Sequence, residues 1–418
     1  MPGDDCVVIQ NGNKPDDPHM ITVNCLDKLG LGCETCRTIL DFGLNIKKGD
    51  VSTDGRWCYL VMWVFPQSST RVVKWAKLKE RLLSLCPPFS NLVYLPSPKA
   101  RIASTYLMTL YCLRRSGLLH DVTQFLCECE LSVQRVKVTT TPDDRLLDLF
   151  IIKDHLEVLN IKEKPEELCE QLRAVLGESC ISCELKLVGP GPPYENLPCI
   201  SALSPSVTNE LFRCELSENE THLQELSPDV MKLKESTVTI DNSLSFAHTL
   251  IQISCADYKS FLYDITRALK DCNVQVTYGR FSAANKGQRE LEVFVQHKNA
   301  EKILDPEKQA SICSCLKVEL LHPLRVVISN RGPDTELLVA NPLELSGMGR
   351  PRVFYDVTFA LKTLGICIFS AEIGTHSTVG REWEVYRFLL DENCNFDLST
   401  MEGKNHIVDR VRRTLLGW

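Results

Sequence analysis

The residues of this 418-residue chain best equipped for chemistry are its twenty cysteines and nine histidines. Cys33-x-x-Cys36 and Cys180-x-x-Cys183 have the half-site spacing of a tetrahedral zinc centre. The two pairs lie far apart, and no second Cys or His pair returns near either to complete a ligand set. Cys127-x-Cys129 and Cys313-x-Cys315 fall in helical pattern, where side chains two apart diverge around the axis. The thiols therefore read as small buried hydrophobes in a reducing compartment, cytosol or nucleus. Catalytic signatures are missing from the sequence too. There is no Gly-x-x-x-x-Gly-Lys-Ser/Thr phosphate loop, no His-Glu-x-x-His helix and no Gly-x-Ser-x-Gly elbow. The histidines are scattered, and His120 sits at a helix start where a surface or capping role suffices. The expectation is a protein without catalysis, metal or cofactor.

The acids tell more, because they recur in a frame. Glu34, Asp121, Asp264 and Asp356 each open a similar six-residue window, and ten residues after each begins an apolar, β-branched run at Leu44, Leu131, Val274 and Ile366. Each acid falls in the first turn of a predicted helix, facing the positive end of its dipole. Val122, Phe125 and Leu126, like Ile265, Ala268 and Leu269, follow the i, i+3, i+4 spacing of a half-buried helix. A strand precedes each helix and two follow it, the last two separated by turn-formers such as Thr53-Asp54-Gly55 and Asn285-Lys286-Gly287. A second helix comes next, and Glu184–Val188 and Leu324–Asn330 read as closing fourth strands. The fold class is thus α+β: four ferredoxin-like βαββαβ modules, each an antiparallel sheet with two helices on one face.

The leading acids are 87, 143 and 92 residues apart. The long middle interval holds Gly189-Pro190-Gly191-Pro192-Pro193 and a Ser/Glu/Asn-rich stretch, which reads as a linker joining two pairs of modules, each pair close in sequence. The fourth module runs out of chain before its closing strand. Cys6–Ile9 and Thr237–Ile240 are spare strands able to cover its open edge, which predicts a swapped or permuted arrangement.

Composition excludes some classes. With 47 basic against 54 acidic side chains the net charge is −7, opposite to what a nucleic-acid binder needs. The strand Leu146–Ile152 is acidic and aliphatic where an RNA-recognition sheet carries aromatics. Trp57, Tyr59, Trp63 and Phe65 share one strand face, expected to pack on helices or a neighbouring sheet. No apolar run is long enough to span a bilayer, and the first twenty residues do not read as a signal or transit peptide.

The four frames resemble the ACT-domain family, and more narrowly the plant ACT-repeat (ACR) proteins, which carry four such domains and no enzyme. The family's signature ahead of the first helix is Asp-Arg-Pro-Gly-Leu-Leu. The corresponding stretches are Asp27-Lys28-Leu29-Gly30-Leu31-Gly32, Arg114-Arg115-Ser116-Gly117-Leu118-Leu119, Asp257-Tyr258-Lys259-Ser260-Phe261-Leu262 and Gly349-Arg350-Pro351-Arg352-Val353-Phe354. The resemblance implies ACT domains at 19–98, 103–188, 247–331 and 334–418, with a linker at 189–246. It also implies an amino acid held at the strand-to-helix bends near domain interfaces, and a homodimer or protein target engaged through domain pairing. A helix N-terminus favours a carboxylate, glycine admits a close backbone approach, and an acid such as Asp27 receives an ammonium. The candidate ligand residues are Asp27, Gly30, Leu31, Arg114, Gly117, Leu118, Asp257 and Arg350. The alternative is a protein-interaction scaffold whose ACT domains have lost ligand binding.

Overall fold

The computed structural model describes residues 6–12, 14, 17–67, 73–87, 104–154, 159, 164–188, 203–212, 233, 235–282, 287–321, 324–378, 381–391 and 398–418. The Gly189–Pro193 segment of the predicted linker lies outside these. The first module comprises β1 (Val7–Gln10), β2 (His19–Leu26), α1 (Leu31–Asp41), β3 (Leu44–Thr53), β4 (Trp57–Pro66) and α2 (Trp75–Leu85). The second follows with β5 (Ser104–Leu113), α3 (Leu118–Glu128), β6 (Ser132–Thr140), β7 (Arg145–Asp154), α4 (Lys164–Leu176) and β8 (Cys180–Val188). After α5 (Pro205–Phe212), the third has β9 (Thr237–Asp241), β10 (Thr249–Ala256), α6 (Phe261–Asp271), β11 (Val274–Phe281), β12 (Gln288–His297) and α7 (Pro306–Leu321). The fourth has β13 (Arg325–Arg331), β14 (Asp334–Pro342), α8 (Val353–Thr363), β15 (Ile368–Thr378), β16 (Arg381–Leu390) and α9 (Met401–Leu416).

The repeat is α+β as expected, but its strands are dealt differently. Only the second module closes with its last strand, β8 against β5. In the others the equivalent place is taken by a strand that comes first: β1 against β2, β9 against β10 and β13 against β14. The segment read as closing the third module therefore belongs to the fourth. Its reason is local: Arg331 pairs with Asp334 across a two-residue Gly332-Pro333 turn, with Gly332 at φ +64°. A hairpin that tight fixes its own register. Permutation is thus present, but Val7–Gln10 and Thr237–Asp241 cover their own modules and not the fourth.

Pairing also departs from the expectation that neighbours in sequence pair. The chain forms two compact units, one of residues 1–95 and 214–323, the other of 96–213 and 324–418. In the first unit the sheet runs β1-β2-β4-β3-β11-β12-β10-β9, joining modules one and three through β3 and β11. At that seam Gly279 stands opposite Val51, and a Cβ on Gly279 would come within 2.9 Å of Val51 Cγ1. Arg280 faces Asp50, with Nε 3.3 Å from Oδ1. In the second unit the order is β13-β14-β16-β15-β6-β7-β5-β8, joining modules four and two through β15 and β6. There Ala371 stands opposite Val138 and Glu372 opposite Lys137.

The helices carry one difference that goes with this pairing. Six residues after the leading acids stand Leu40, Cys127, Lys270 and Lys362, so only the third and fourth modules carry a lysine there. Joining one to three and two to four brings Lys270 to the bend before α1 and Lys362 to the bend before α3, which pairing neighbours in sequence would not do, although one with four and two with three would supply a lysine to each bend equally.

Helix packing follows the predicted faces. On α1, Leu31, Cys33, Cys36, Ile39 and Leu40 are buried, and on α3 Leu118, Val122, Phe125 and Leu126 are. Each fully buried Leu or Ile contributes about 1.5–3 kcal/mol. Part of the predicted linker is structural as well. Val207 and Leu211 of α5 pack on Leu338, Ala340, Trp383 and Val385, and Phe212 stacks on His376 with centroids 4.7 Å apart. The aromatic row of β4 points away from the α1 face, where Cys58, Leu60 and Met62 are buried; Tyr59 is exposed and Lys48 lies over Trp63.

Candidate functional site

Three of the four bends hold a left-handed residue before the helix: Gly30 at φ +84°, Gly117 at +73° and Arg352 at +63°. Ser260, at −109°, does not. In every module the leading acid's N–H closes the first turn onto that residue's carbonyl, at 2.9 to 3.0 Å. The helix begins at the same place each time, yet the four bends have different surroundings.

The first bend opens on a cleft between modules one and three. Its space, partly continuous with solvent, amounts to about 780 Å³. Asp27 directly follows β2, and its Oδ2 accepts hydrogen bonds from Thr53 Oγ1 at 2.7 Å and, across the seam, from Gln275 Nε2 at 2.9 Å. The Lys270 side chain lies over Gly30: a Cβ there would meet Lys270 Cε at 2.8 Å. Lys28 is held aside by Glu34 at 2.6 Å. Below this polar rim the walls are apolar, with Leu60, Met62, Leu262, Val276 and Phe281 among them. Cys36 and Cys58 also line it; burial pushes both thiols up to about 12, so they stay protonated. Among the described residues no group of three or more metal-ligating side chains is gathered anywhere.

The second bend is tighter. Lys362 covers Gly117, where a Cβ would lie 2.9 Å from its Cδ, and its Nζ reaches Asp121 at 2.6 Å. Arg115 holds the other oxygen of Asp121 at 2.7 Å. Burial opposes ionisation of this carboxyl, but the hydrogen bonds and charge of Lys362 and Arg115 prevail and hold it below its ordinary range. The space here, much of it open to solvent, amounts to about 360 Å³, and its interior has room for little more than one water, about 20 Å³. His120 is buried beside it, with Nδ1 3.4 Å from Thr358 Oγ1 and its ring against Tyr355 and Phe359.

The third and fourth bends are closed by the protein itself. Arg289, fully buried and stacked 4.6 Å over Phe281, binds Asp257 through Nε and the Lys47 carbonyl at 2.7 Å through Nη1. Lys47 Nζ lies 3.5 Å from the other Asp257 oxygen. In the fourth, Asn341 clasps the backbone of Arg350, accepting from its N–H at 3.2 Å and donating to its carbonyl at 3.1 Å. Arg352 lies over the Tyr355 ring at 4.4 Å.

Of the sequence candidates, Asp27, Gly30 and Leu31 line one cleft, and Gly117 and Leu118 line another. Arg114 turns away from the second, paired with Asp144 at 2.8 Å and with Asp391. Asp257 is taken up in the internal ion pair, and Arg350 is buried. Lys270, Gln275 and Lys362 were missed because each comes from the opposite module. The lysines at a constant offset of six from the acids were the available signal.

Family models match along the chain: ACT domain-containing protein ACR10, N-terminal, over residues 9–87; ACR9-like, ACT-like domain, over 237–334; and ACT domain-containing protein ACR9, C-terminal, over 335–417. The chain is 52% identical to ACT domain-containing protein ACR9 of Arabidopsis thaliana, covering 99% of each. It is 44% identical to ACT domain-containing protein ACR10 of the same plant, covering 99% of this chain and 98% of that one. Over 54% of its length it is 26% identical to a fifth (20%) of a bifunctional uridylyltransferase/uridylyl-removing enzyme from Rhodospirillum rubrum. Among solved structures, aspartate kinase from Synechocystis aligns with 78% of this chain and 58% of its own, at 13% identity and a TM-score of 0.28.

Proposed function

The chain belongs to the ACT domain-containing repeat (ACR) proteins, and from that premise we propose that it is a non-catalytic regulatory protein whose cleft between modules one and three binds an amino acid. The observation that carries this reading is the convergence at Gly30 of three groups: the N-terminus of α1, the Lys270 side chain and the Asp27 carboxylate, above apolar walls. The helix terminus and Lys270 suit an α-carboxylate, Asp27 suits an α-ammonium, and the walls suit an apolar side chain. A ligand so placed touches module one through the bend and module three through Lys270 and Gln275. It therefore favours the joined arrangement by its differential affinity, and that shift is the signal passed to a protein target or a second copy. The buried thiols suit a reducing cytosol or nucleus.

Thermal-shift and calorimetric screening of the standard amino acids tests this. At a ligand concentration one hundred times Kd, stabilisation of about 2.7 kcal/mol is expected, with an apolar amino acid the best and Asp27→Asn weakening it at least tenfold. No stabilisation by any of them at millimolar concentration would overturn the reading. For the bends of modules three and four the scaffold alternative is favoured, because Arg289 already occupies Asp257 and Asn341 clasps the Arg350 backbone.

A further inference from the structure

β8 lies at the outer edge of the second unit's sheet, hydrogen-bonded to β5. Their ladder keeps one register from Val188 opposite Thr105 to Ser182 opposite Tyr111, then slips, so that Cys180 and not Ile181 stands opposite Cys112. Ile181 is the extra residue of a bulge, and its side chain is exposed. Strand side chains alternate between faces, so an unbroken register would put Cys180 on the face away from Cys112. The bulge re-aims it. Both thiols thereby pack on the helix side of the sheet, hydrogen-bonded to each other. Residues opposite in an antiparallel ladder have Cα atoms about 4.5–5.5 Å apart, within the roughly 4.4–6.8 Å that a disulfide spans.

The two thiols are unequal. Cys112 is buried, whereas Cys180 is only half-buried and reaches solvent. Burial raises both, Cys112 to about 12, with the neighbouring Asp148 of β7 adding to the effect and Arg115 of the bend opposing it. The Asp148 carboxyl, 1% exposed, is itself pushed up to about 7 by burial. At Cys180 a hydrogen bond from Cys112 and the charge of Arg173 work against burial, so its anion is the one the surroundings favour. Behind the pair Cys169 of α4 and Cys183 of β8 are hydrogen-bonded to each other and sealed in the core. Among the described residues these thiols do not gather as a metal's ligand set would. Module one repeats the arrangement: Cys25, like Cys112, stands nine residues before its leading acid and is hydrogen-bonded with a thiol that follows the second helix, Cys86.

We propose that Cys112 and Cys180 form a reversible redox dithiol that, oxidised by a small disulfide such as glutathione disulfide, pins the edge strand β8 to β5. The Cys180 thiolate attacks one sulfur of glutathione disulfide, expelling a glutathione thiolate and leaving a mixed disulfide. Cys112 then attacks the Cys180 sulfur, forming the Cys112–Cys180 bond and expelling the second glutathione thiolate. The two protons lost by the cysteines end on the two glutathione thiols, and the two electrons lost by the protein reduce glutathione disulfide. In a reducing cytosol the pair rests as thiols, the setting in which a disulfide serves as a transient signal. A path for that signal is present. Ser179, next to Cys180, accepts a hydrogen bond from Arg115 Nε at 3.0 Å, and Arg115 holds Asp121 in the first turn of α3. Drawing Cys180 onto Cys112 therefore acts on the second bend as well as on the sheet edge.

The test is to equilibrate the full chain in glutathione buffers from fully reduced to oxidised, trap the free thiols by alkylation and map the peptides by mass spectrometry. A Cys112–Cys180 disulfide is expected, undone by dithiothreitol, while Cys169 and Cys183 stay alkylatable only after unfolding. Oxidation should slow amide exchange in β8 at least tenfold and shift the methyl resonances of Leu118 and Leu119. Cys180→Ser, altered at the half-exposed position, should fold and lose both responses. Cys180 halted as a mixed disulfide with glutathione, or joined to Cys169 or Cys183 instead, overturns the proposal. So does a Cys112–Cys180 bond that leaves β8 exchange unchanged, or stoichiometric zinc in the reduced protein.

Discussion

At Arg352 the chain holds a non-glycine residue at φ +63°, in the conformation that glycine takes at positions 30 and 117. Left-handed backbone costs an L-residue roughly 1–2 kcal/mol, and the Arg352 guanidinium lies over the Tyr355 ring, a cation–π contact that works against that cost. The sequence shows the missing glycine but not whether the bend survives without it; Ser260 loses the conformation and Arg352 keeps it. Glycine matters more at position 30, where Lys270 also crowds the vacant Cβ. Gly30→Ala is expected to lower stability by about 1–2 kcal/mol and to displace Lys270, which denaturant titration and ligand calorimetry together would detect. Asp148 gives a prediction with a sign. Its carboxyl keeps a proton up to about pH 7 when folded, but loses it near 3.8 when unfolded. The native state then binds more protons across that window, so this residue makes stability fall as pH rises from about 4 to 7. Asp148→Leu should be more stable than the parent at pH 7.5, by up to roughly 4 kcal/mol, with the advantage shrinking toward pH 4.5. Melting temperatures at the two pH values check it, and a pH-independent difference would contradict it.

Element by element, the order of the repeat and its offsets from the leading acids were legible, and strand ends only to within a few residues. A β-bulge interrupts the strand after the first helix in all four modules, at Lys47, Gln134, Thr277 and Phe369, each thirteen residues beyond its leading acid. What could not be read was which module owns each edge strand. Val326–Asn330 lies between two modules and alternates suitably for either, and only the Gly332-Pro333 turn decides it. The short β1 illustrates what such a strand does. It occupies the outer edge of the first unit's sheet beside β2, and removing it bares a row of unpaired backbone groups. Deletion of residues 6–10 should speed amide exchange in β2 and promote self-association seen by light scattering, while exchange in β5 and β14 stays unchanged. Unaltered β2 protection would show that the edge strand is dispensable.

On the scale of the whole chain, the pairing of distant modules has a consequence for folding. Cutting after residue 213 leaves each fragment with half of both units, since the units draw on residues 1–95 with 214–323 and 96–213 with 324–418. Neither fragment alone should show a cooperative thermal transition; mixing them should restore one. Two independently cooperative fragments would contradict the β3–β11 and β15–β6 seams. Composition and periodicity were blind to this arrangement because all four modules share one frame and the seam strands β3, β6, β11 and β15 occupy the same place in it. The lysines that follow the acids by six residues speak only against pairing of sequence neighbours, and their meaning depends on two helices being brought together. The most direct measurement is of the first cleft. Methyl NMR of the full chain, with amino acids added singly, should show saturable shifts at Leu31, Val51, Leu262 and Val276, residues from both joined modules, for an apolar amino acid. Shifts confined to one module, or none with any amino acid, would contradict a site built between them.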